Sequence, residues 1–398
     1  MPDTSTHFHI IIAGGGPAGS TAAYILSKAG LNVLIIDKNK FPRKKLCGGL
    51  ITYKTLMLIE RVFGATPADL HQPGIITYES DRYEIYGKRR LISQRCYKIP
   101  FRFVDREKYD NYLLQKARQA GATLVEGDGV KRVDASGSRI VTYKGWEFTA
   151  DVIVGADGVN SRVRRSFPVD LFGRDDWMHK VASAHEAVIS RDKIKKQVDH
   201  PILYFGFLKD GYAWLFPNRD TIIAGICGLR DKAGKNILHI FREFLREHAV
   251  TTAGDEKIQS YVLPYGCYLP SPVFRNIVLI GDAAGLADPL LGEGIYYAQR
   301  SGELAARTIM HIRDHKKSFY DMETYYLPAL QEHIQVEMEY AEKIRQAIFS
   351  YLRIYDFFPL SKVMHIFKDK PVETIHGIRS YKWMKKMQEQ GVFGQYAS

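Results

Sequence analysis

The stretch that decides the fold begins with Ile10-Ile11-Ile12-Ala13-Gly14-Gly15-Gly16-Pro17-Ala18-Gly19 and ends with Leu31-Asn32-Val33-Leu34-Ile35-Ile36-Asp37. Its two apolar runs are short and rich in β-branched residues, which is typical of parallel strands buried on both faces. The residues between them follow an alanine-rich helical pattern. The stretch therefore predicts a strand, a glycine turn, a helix and a second parallel strand, the opening unit of a doubly wound α/β domain.

The glycines of the turn fall in the register G-x-G-x-x-G, with Gly14, Gly16 and Gly19 at the three positions. In such a turn the first glycine permits the tight bend, the second lets the backbone approach a pyrophosphate, and the third lets helix and strand pack closely. The free N–H groups of the helix N-terminus favour the same anion. Asp37 ends the second strand, where a carboxylate can accept hydrogen bonds from a ribose hydroxyl. We expect a dinucleotide here, and the motif leaves open whether it is NAD or FAD.

The bulk composition is that of an ordinary globular protein: 398 residues, 45% hydrophobic and 25% charged. This length allows two or three domains. No apolar run approaches the roughly 18 residues of a membrane helix, and the N-terminus does not resemble a secretory signal, so we expect a cytoplasmic protein. The four cysteines are far apart and form no C-x-x-C pair, which argues against a disulfide framework or a metal site.

The net charge of +12 predicts attraction to anionic surfaces. No nucleic-acid-binding motif accompanies the charge, so we expect no nucleic acid partner. We expect peripheral binding to an anionic membrane surface, because the C-terminal tail combines Trp383 with Lys385 and Lys386. An acidic protein partner fits the same charge, and so does simple colloidal solubility.

Changes in the apolar pattern divide the chain into three parts. Buried strands of the parallel type recur in residues 1–74, 100–165 and 271–316, which predict a discontinuous nucleotide-binding domain. Residues 75–99 and 166–270 hold short alternating strands, which predict an antiparallel sheet that carries a substrate. Residues 317–398 predict a helical C-terminal region.

Three separate motifs resemble those of the FAD-dependent oxidoreductases built like p-hydroxybenzoate hydroxylase. The glycine turn that begins at Gly14 is the first. The second, D-G-x-x-S-x-x-R, is matched from Asp157 to Arg164, and the third, G-D-A-A, is matched from Gly281 to Ala284. The resemblance implies FAD as the cofactor, held in a Rossmann-like domain with an inserted antiparallel substrate-binding sheet. It also implies that Asp282 holds the ribityl chain.

A finer resemblance is to the geranylgeranyl reductase branch of that superfamily. Its motifs K-x-C-G-G, Y-x-W-x-F-P and P-x-x-G-E-G-I are matched at residues 45–49, 212–217 and 289–295, so that all matches together span about three quarters of the chain. Asp37 replaces the more usual Glu, which is chemically equivalent for a ribose hydroxyl. The part from about Lys317 onward matches no motif, which leaves the chain-length specificity open.

The resemblance implies a set of FAD contacts that lie in these motifs and in the loops between them. They are Gly14, Gly16, Ala18, Gly19, Asp37, Cys47, Gly48, Gly49, Arg106, Val130, Asp157, Gly158, Gly281, Asp282, Gly292, Gly294 and Ile295. By motif position Cys47 and Glu293 lie near the flavin and are the candidate catalytic residues. The alternative interpretations are a small buried side chain for Cys47 and a helix N-terminal carboxylate for Glu293.

An aromatic stripe is the candidate substrate surface. Tyr212, Trp214 and Phe216 alternate along a predicted strand, so all three point to one face with about 7 Å between successive side chains. The stripe suits an apolar polyene, and it suits core packing equally well. The family resemblance favours a pocket for substrate.

The implied reaction is saturation of carbon–carbon double bonds in a prenyl lipid of the geranylgeranyl type, by hydride from reduced FAD and a proton from an acid or from water. A single G-x-G-x-x-G leaves no second nucleotide domain, so the resemblance implies an external donor: NAD(P)H, a ferredoxin or a deazaflavin. Two alternatives stay open. One is an FAD-dependent aromatic monooxygenase or halogenase on the same scaffold, and the other is a flavin-bearing prenyl-lipid binding protein without turnover.

Overall fold

The stretch from Ile10 to Asp37 folds as predicted, into a strand, a helix and a parallel strand. These are β1 (His7–Ala13), α1 (Pro17–Lys28) and β2 (Val33–Asp37). β1 pairs in parallel with β2, with Ile10 opposite Val33, and all five residues of β2 are buried. The computed structural model describes residues 7–87, 89–134, 138–168, 177, 180–230, 236–248, 257–354 and 369–384.

The first sheet is built around this unit and is mostly parallel. Its main strands run in the order β15-β16-β9-β1-β2-β6, and a hairpin of β7 and β8 extends from β9. The added strands are β6 (Thr123–Glu126), β7 (Val130–Val133), β8 (Arg139–Thr142), β9 (Glu147–Gly155), β15 (Val273–Phe274) and β16 (Ile277–Leu279). Because β1, β2, β9 and β16 are mutually parallel, their carboxyl ends meet at one edge of the sheet. All three superfamily motifs begin at that edge.

The second sheet has eight strands in the order β14-β10-β13-β12-β11-β4-β5-β3. It is antiparallel apart from the parallel pair of β4 and β11. The strands are β3 (Leu50–Ile51), β4 (Ile76–Gly87), β5 (Arg90–Val104), β10 (Val181–Ser190), β11 (Ile202–Phe205), β12 (Gly211–Pro217), β13 (Thr221–Leu229) and β14 (Gln259–Pro264). The predicted domain boundary after residue 99 falls inside β5, which continues to Val104.

Helices cover both sheets and form the C-terminal region. They are α2 (Tyr53–Phe63), α3 (Pro67–His71), α4 (Arg106–Gln119), α5 (Ile237–His248), α6 (Ile295–Asp314), α7 (Met322–Leu330), α8 (Val336–Ile354) and α9 (Lys370–Ile375). A π-helical turn, Gln331–Gln335, joins α7 to α8. Within the described ranges, no helix combines the length and the apolar character that crossing a membrane requires. The predicted fold class, a parallel-sheet domain with an inserted antiparallel sheet and a helical C-terminal region, is confirmed.

The C-terminal helices are fastened to the second sheet by a buried ion pair. Arg345 of α8 lies 2.5 Å from the carboxylate of Asp210, and both side chains are only 3% exposed. Glu342, one helical turn earlier, pairs with the same guanidinium at 2.6 Å. Phe349 of α8 packs on Phe205 of β11, with ring centroids 6.2 Å apart. The pair therefore holds α8 over the aromatic face of the sheet.

We predict that Arg345→Met lowers the free energy of unfolding by about 3–5 kcal/mol, because it removes the guanidinium that pairs with the buried Asp210 carboxylate. Urea unfolding of the holoprotein measures the change. Arg139→Met is the matched control, since Arg139 pairs with Glu147 on the surface and such a pair contributes about 0–1 kcal/mol. Equal losses in the two variants would contradict the role given to the buried pair.

Candidate active site

The glycine turn after β1 is so tight that side chains would not fit. A Cβ at Gly19 would lie 1.9 Å from the carbonyl oxygen of Gly14, and a Cβ at Gly14 would lie 2.3 Å from that of Ala156. Gly14 also has a φ of +108°, which favours glycine. The turn is held by Asp37, whose carboxylate accepts the N–H of Gly15 at 2.7 Å. Asp37, which is predicted to bind the ribose, therefore also shapes the loop that would hold the pyrophosphate.

Arg43 lies at the mouth of this turn. A Cβ at Gly16 would be 3.6 Å from its Nη2 atom, and the same atom pairs with the buried Asp110 at 2.9 Å. Its other terminal nitrogen, Nη1, is buried and has no hydrogen-bond partner in the described structure. An unpaired guanidinium N–H beside a glycine-rich helix N-terminus suits an anionic phosphate. Arg43 is not among the site residues predicted from the sequence, although it lies in the basic loop before Cys47.

The second motif braces the third. Arg164 donates from Nη1 to the carbonyl of Ala283 at 2.8 Å and from Nη2 to that of Val159 at 2.6 Å. Burial lowers the pKa of Arg164 to about 10. Asp157 accepts the backbone N–H groups of Arg162 and Val163 with one oxygen, while its buried Oδ1 has no partner among the described residues. Gly158, which directly follows Asp157 in this turn, has a φ of +81°.

Asp282 lies at the end of β16, in the short 3₁₀ helix Gly281–Ala284. Among the described residues, none donates a hydrogen bond to its carboxylate, and desolvation raises the pKa of this group against the cations of Lys45, Arg106 and Arg164. A Cβ at Gly294, the residue before α6, would lie 3.5 Å from its Oδ1 atom. A carboxylate that is free to accept, facing glycine backbone, suits a polyhydroxyl chain.

The remaining predicted cofactor residues lie around the same edge. Ala18 faces Gly281, at whose position a Cβ would be 3.1 Å from that of Ala18. Val130 is buried in β7, and nearby the N–H of Asp128 donates to the carbonyl of Asp37 at 3.2 Å. The others close the site from the α4 and α6 sides: Arg106 forms two hydrogen bonds to Asp110, at 2.9 and 3.0 Å, and Ile295 is buried in the first turn of α6.

Three tyrosines from separate segments hold the loop that precedes α6. Tyr212 of β12 donates to the carbonyl of Leu291, and Tyr265 donates to that of Leu290 at 2.8 Å. Tyr381, from the C-terminal region, donates to the carboxylate of Asp288 at 2.8 Å. Gly292 lies under this clamp, where a Cβ would be 3.6 Å from the Tyr212 hydroxyl. The loop is therefore positioned by the second sheet, by the residue that follows β14 and by the C-terminal region together.

The Cys47 loop crosses from the first sheet to the second. The Cys47 sulfur accepts the N–H of Gly49 at 3.4 Å, and Gly49 has a φ of +74°. A Cβ at Gly49 would lie 2.6 Å from the carbonyl oxygen of Val104. A Cβ at Gly48 would lie 2.6 Å from the ring of Phe216. Cys47 is thus brought to the aromatic face of the second sheet.

The aromatic stripe forms one continuous wall. The ring centroids of Tyr212 and Trp214 are 5.7 Å apart, and those of Trp214 and Phe216 are 5.9 Å apart. Phe103 of β5 extends the wall, 5.5 Å from Phe216. A Cβ at Gly225 on the neighbouring strand would lie 2.2 Å from the Trp214 ring, so the indole lies directly over that glycine. The indole N–H of Trp214 is buried and has no partner in the described structure.

Glu293 is engaged by other side chains. Lys54 of α2 lies 2.5 Å from its carboxylate, and the Thr52 hydroxyl donates to it at 2.6 Å. Burial raises the pKa of Glu293, and the Lys54 ammonium opposes that shift. A carboxylate in such an ion pair is stabilised in its charged form, which disfavours the donation of a proton. Its predicted catalytic role stays a prediction.

Glu186 is a buried carboxyl group on the same face that sequence reasoning missed. It lies in β10, is 2% exposed, and accepts a hydrogen bond from the Tyr261 hydroxyl at 3.3 Å. Burial raises its pKa to about 7, against the opposing effects of Tyr261, Lys45 and Arg106. Nothing in the local sequence marks Glu186, because its neighbours come from distant segments.

Comparison with known proteins agrees with this geometry. The family model of the FAD binding domain matches residues 7–317. The chain is 32% identical over 308 residues to an uncharacterised protein of Methanosarcina barkeri, covering 76% of this chain and 74% of that protein. It is 30% identical over 311 residues to the geranylgeranyl diphosphate reductase of Rhodobacter capsulatus, covering 76% of this chain and 75% of that enzyme.

A solved structure supports the fold. A geranylgeranyl bacteriochlorophyll reductase-like protein from Thermoplasma acidophilum superposes with a TM-score of 0.70 at 20% sequence identity. The match covers 86% of this chain and 88% of the other. The family match spans more than half of the chain, and the relatives include a named reductase. The chain is therefore an FAD-dependent oxidoreductase that belongs to the FAD-binding-domain family and, within it, to the geranylgeranyl reductase family.

Proposed function

We propose that this protein saturates carbon–carbon double bonds of a prenyl lipid chain of the geranylgeranyl type. The observation that carries the proposal is the aromatic wall of Tyr212, Trp214 and Phe216, which the Cys47 loop joins to the cofactor edge of the first sheet. Such a wall suits a long apolar polyene. The similarity to a named geranylgeranyl diphosphate reductase supports the same substrate class.

FAD fits the cofactor edge. We assign the pyrophosphate to the turn of Gly14, Gly16 and Gly19 with Arg43, whose buried Nη1 atom has no other partner in the described residues. We assign the ribose to Asp37 and the ribityl chain to Asp282. The remaining predicted contacts, from Ala18 to Ile295, are assigned the roles that the resemblance implies. When bound and reduced, the flavin would supply a hydride to the alkene.

The protein's own groups position the reactants and exclude water. Gly48 and Gly49 let the backbone come close to the flavin ring. The aromatic wall keeps the alkene away from solvent. We assign Glu293 to hold the start of α6 through Lys54 and Thr52. We place Cys47 at the border between the wall and the flavin, where it positions the flavin or relays a proton from water.

The electron donor and the membrane are further parts of the proposal. The single G-x-G-x-x-G supports an external donor: a nicotinamide, a ferredoxin or a deazaflavin. The net charge of +12 supports binding to an anionic membrane surface, which salt would weaken. Trp383 contributes less than its sequence position suggests, because its indole N–H donates to Thr374 at 2.7 Å. Lys385 and Lys386 lie outside the described residues.

We predict that Asp282→Ala and Gly16→Val each give protein that purifies without its yellow flavin. Asp282→Ala removes the ribityl acceptor. Gly16 has a φ of −72°, so valine fits the backbone there, and its side chain would enter the space beside Arg43 that is assigned to the pyrophosphate. Absorbance of the flavin per protein measures the loss, and Asp192→Ala, on the surface of the second sheet, is the matched control. Full flavin content in both variants would refute the assigned cofactor site.

We predict that Cys47→Ala keeps FAD and still accepts electrons from dithionite, yet loses roughly a hundredfold in alkene reduction. The substitution removes the sulfur that lies between the wall and the cofactor edge while the glycines beside it remain. Cys96→Ala, an exposed cysteine in β5, is the matched control. Unchanged turnover in the Cys47 variant would reduce that residue to a packing role.

The decisive experiment incubates the photoreduced holoprotein anaerobically with a geranylgeranyl lipid and measures product mass. We expect a gain of two hydrogens for each double bond saturated. A monooxygenase or halogenase would leave the prenyl chain unchanged under these conditions and would modify an aromatic compound only in air. A lipid carrier would bind the substrate and return it unaltered, and either result would overturn the proposed reduction.

A further inference from the structure

We propose that Glu186 is the carboxylic acid that protonates the alkene, with Tyr261 as the residue that positions it. This inference rests on the proposed reduction and names the group that completes it. None of the sequence motifs includes Glu186. We assign this role to Glu186 because of its position in the second sheet, the groups around it and its ability to hold and release a proton.

The strand register places Glu186 on the aromatic face. β10 lies between β13 and β14, and Glu186 stands opposite Gly225 on one side and Gln259 on the other. Gly225 in turn stands opposite Trp214. Side chains of directly opposed residues share a face of the sheet. Because Gly225 has no side chain, the Trp214 indole lies over Gly225, on the side of that strand that faces Glu186. Glu186 therefore borders the wall assigned to the prenyl chain.

The groups around Glu186 connect it to the cofactor edge. Lys45, in the Cys47 loop, lies 5.3 Å above the Tyr261 ring, and Tyr261 donates to Glu186 at 3.3 Å. The Lys45 and Arg106 cations oppose the rise that burial causes in the pKa of Glu186. The same two cations oppose the corresponding rise in the pKa of Asp282. Glu186 and Asp282, the assigned ribityl ligand, therefore both lie within the electrostatic reach of Lys45 and Arg106. Lys45 itself is exposed to solvent.

The surroundings favour a neutral acid near pH 7. Burial raises the pKa of Glu186 to about 7, against the Tyr261 hydroxyl, the Lys45 and Arg106 cations and the backbone N–H of Cys47. The buried Cys227 thiol of β13 also lies near this carboxyl. Such a value lets one group hold a proton and release it at neutral pH. Glu293 lacks this freedom because Lys54 is bound to it.

The reaction balances with Glu186 as the proton source. The π bond of the alkene is consumed: one carbon forms a C–H bond with the hydride from reduced FAD, and the other forms a C–H bond with the proton from the Glu186 O–H. The alkene would gain the two electrons that the reduced flavin loses. The Glu186 carboxylate then regains a proton from water, and dithionite or a physiological donor would return two electrons to the flavin.

The first test compares rates with the holoprotein. At pH 6, Glu186→Gln should lose a hundredfold or more in saturated product with its FAD content unchanged. Glu243→Gln, on the outer face of α5 and half exposed, is the matched control and should keep the full rate. Wild-type turnover should fall about tenfold for each pH unit above about 7, because the neutral acid disappears, and the variant should show no such fall.

Tyr261→Phe separates titration from simple packing. The Tyr261 hydroxyl lowers the pKa of Glu186 by donating to it, so its removal should move the falling limb of the pH profile to higher pH. This variant keeps the ring and the carboxyl group. It therefore also tests the proposal if Glu186→Gln fails to fold. A limb that stays in place would contradict the link between Tyr261 and the proton donor.

The second test needs no turnover. The folded-state pKa of Glu186 lies above the usual carboxyl value, so the folded protein holds a proton that the unfolded chain releases. Its contribution to stability is complete below about pH 4.5 and is lost as pH rises through about 7. The melting temperature of Glu186→Gln relative to wild type should therefore rise between pH 5 and pH 8. A constant difference would overturn the titration of Glu186.

The outcomes separate this inference from the proposed function. If the wild-type protein saturates the lipid and Glu186→Gln does so at the full rate, Glu186 is not the acid and the reductase stands. If the wild-type protein forms no saturated product, the proposed reduction falls and the inference falls with it. A large loss with a flat pH profile and a pH-dependent melting difference supports both.

Discussion

Close backbone contact among β1, α1 and α6 is the constraint on which the rest of the structure depends. A Cβ at Gly19 would lie 1.9 Å from the Gly14 carbonyl, and a Cβ at Gly302 of α6 would lie 2.4 Å from that of Ala18. Only glycine permits both approaches. They bring the start of α1 against the carboxyl edge of the first sheet and set α6 beside it. Asp282 and the loop before α6 then face the same edge.

Charged groups occupy the junction between the two sheets, where most of the surrounding side chains are apolar. Asp110 is fully buried and is matched by Arg106 and Arg43 together. Breaking such a network by removing one partner is costly, because the other charge stays buried. The arrangement leaves Arg43 with a spare donor at the phosphate end and lets Arg106 act on groups of both sheets. Structural ion pairs thus also set the electrostatics of the site.

The C-terminal region takes part in the site, although it matches no family motif. Tyr381 reaches the loop before α6 through Asp288, and Arg345 fixes α8 to the turn before β12. His376 stacks on Phe101 with ring centroids 4.6 Å apart, and burial lowers the pKa of this imidazole to about 4. A neutral, stacked histidine behaves as a packing group. The C-terminal region, which matches no family motif, therefore covers the aromatic face of the second sheet.

Local sequence determined the features whose physics is local. The glycine spacing after β1, the acidic residue that ends β2 and the alternation from Tyr212 to Phe216 each depend on a few neighbouring residues, so the parallel unit, the cofactor class and the aromatic face could be predicted. Only the tertiary structure brought Glu186 to Tyr261, Lys54 to Glu293 and Arg345 to Asp210. These contacts join distant segments, and burial decides their charges. A linear pattern contains neither the partner nor the burial.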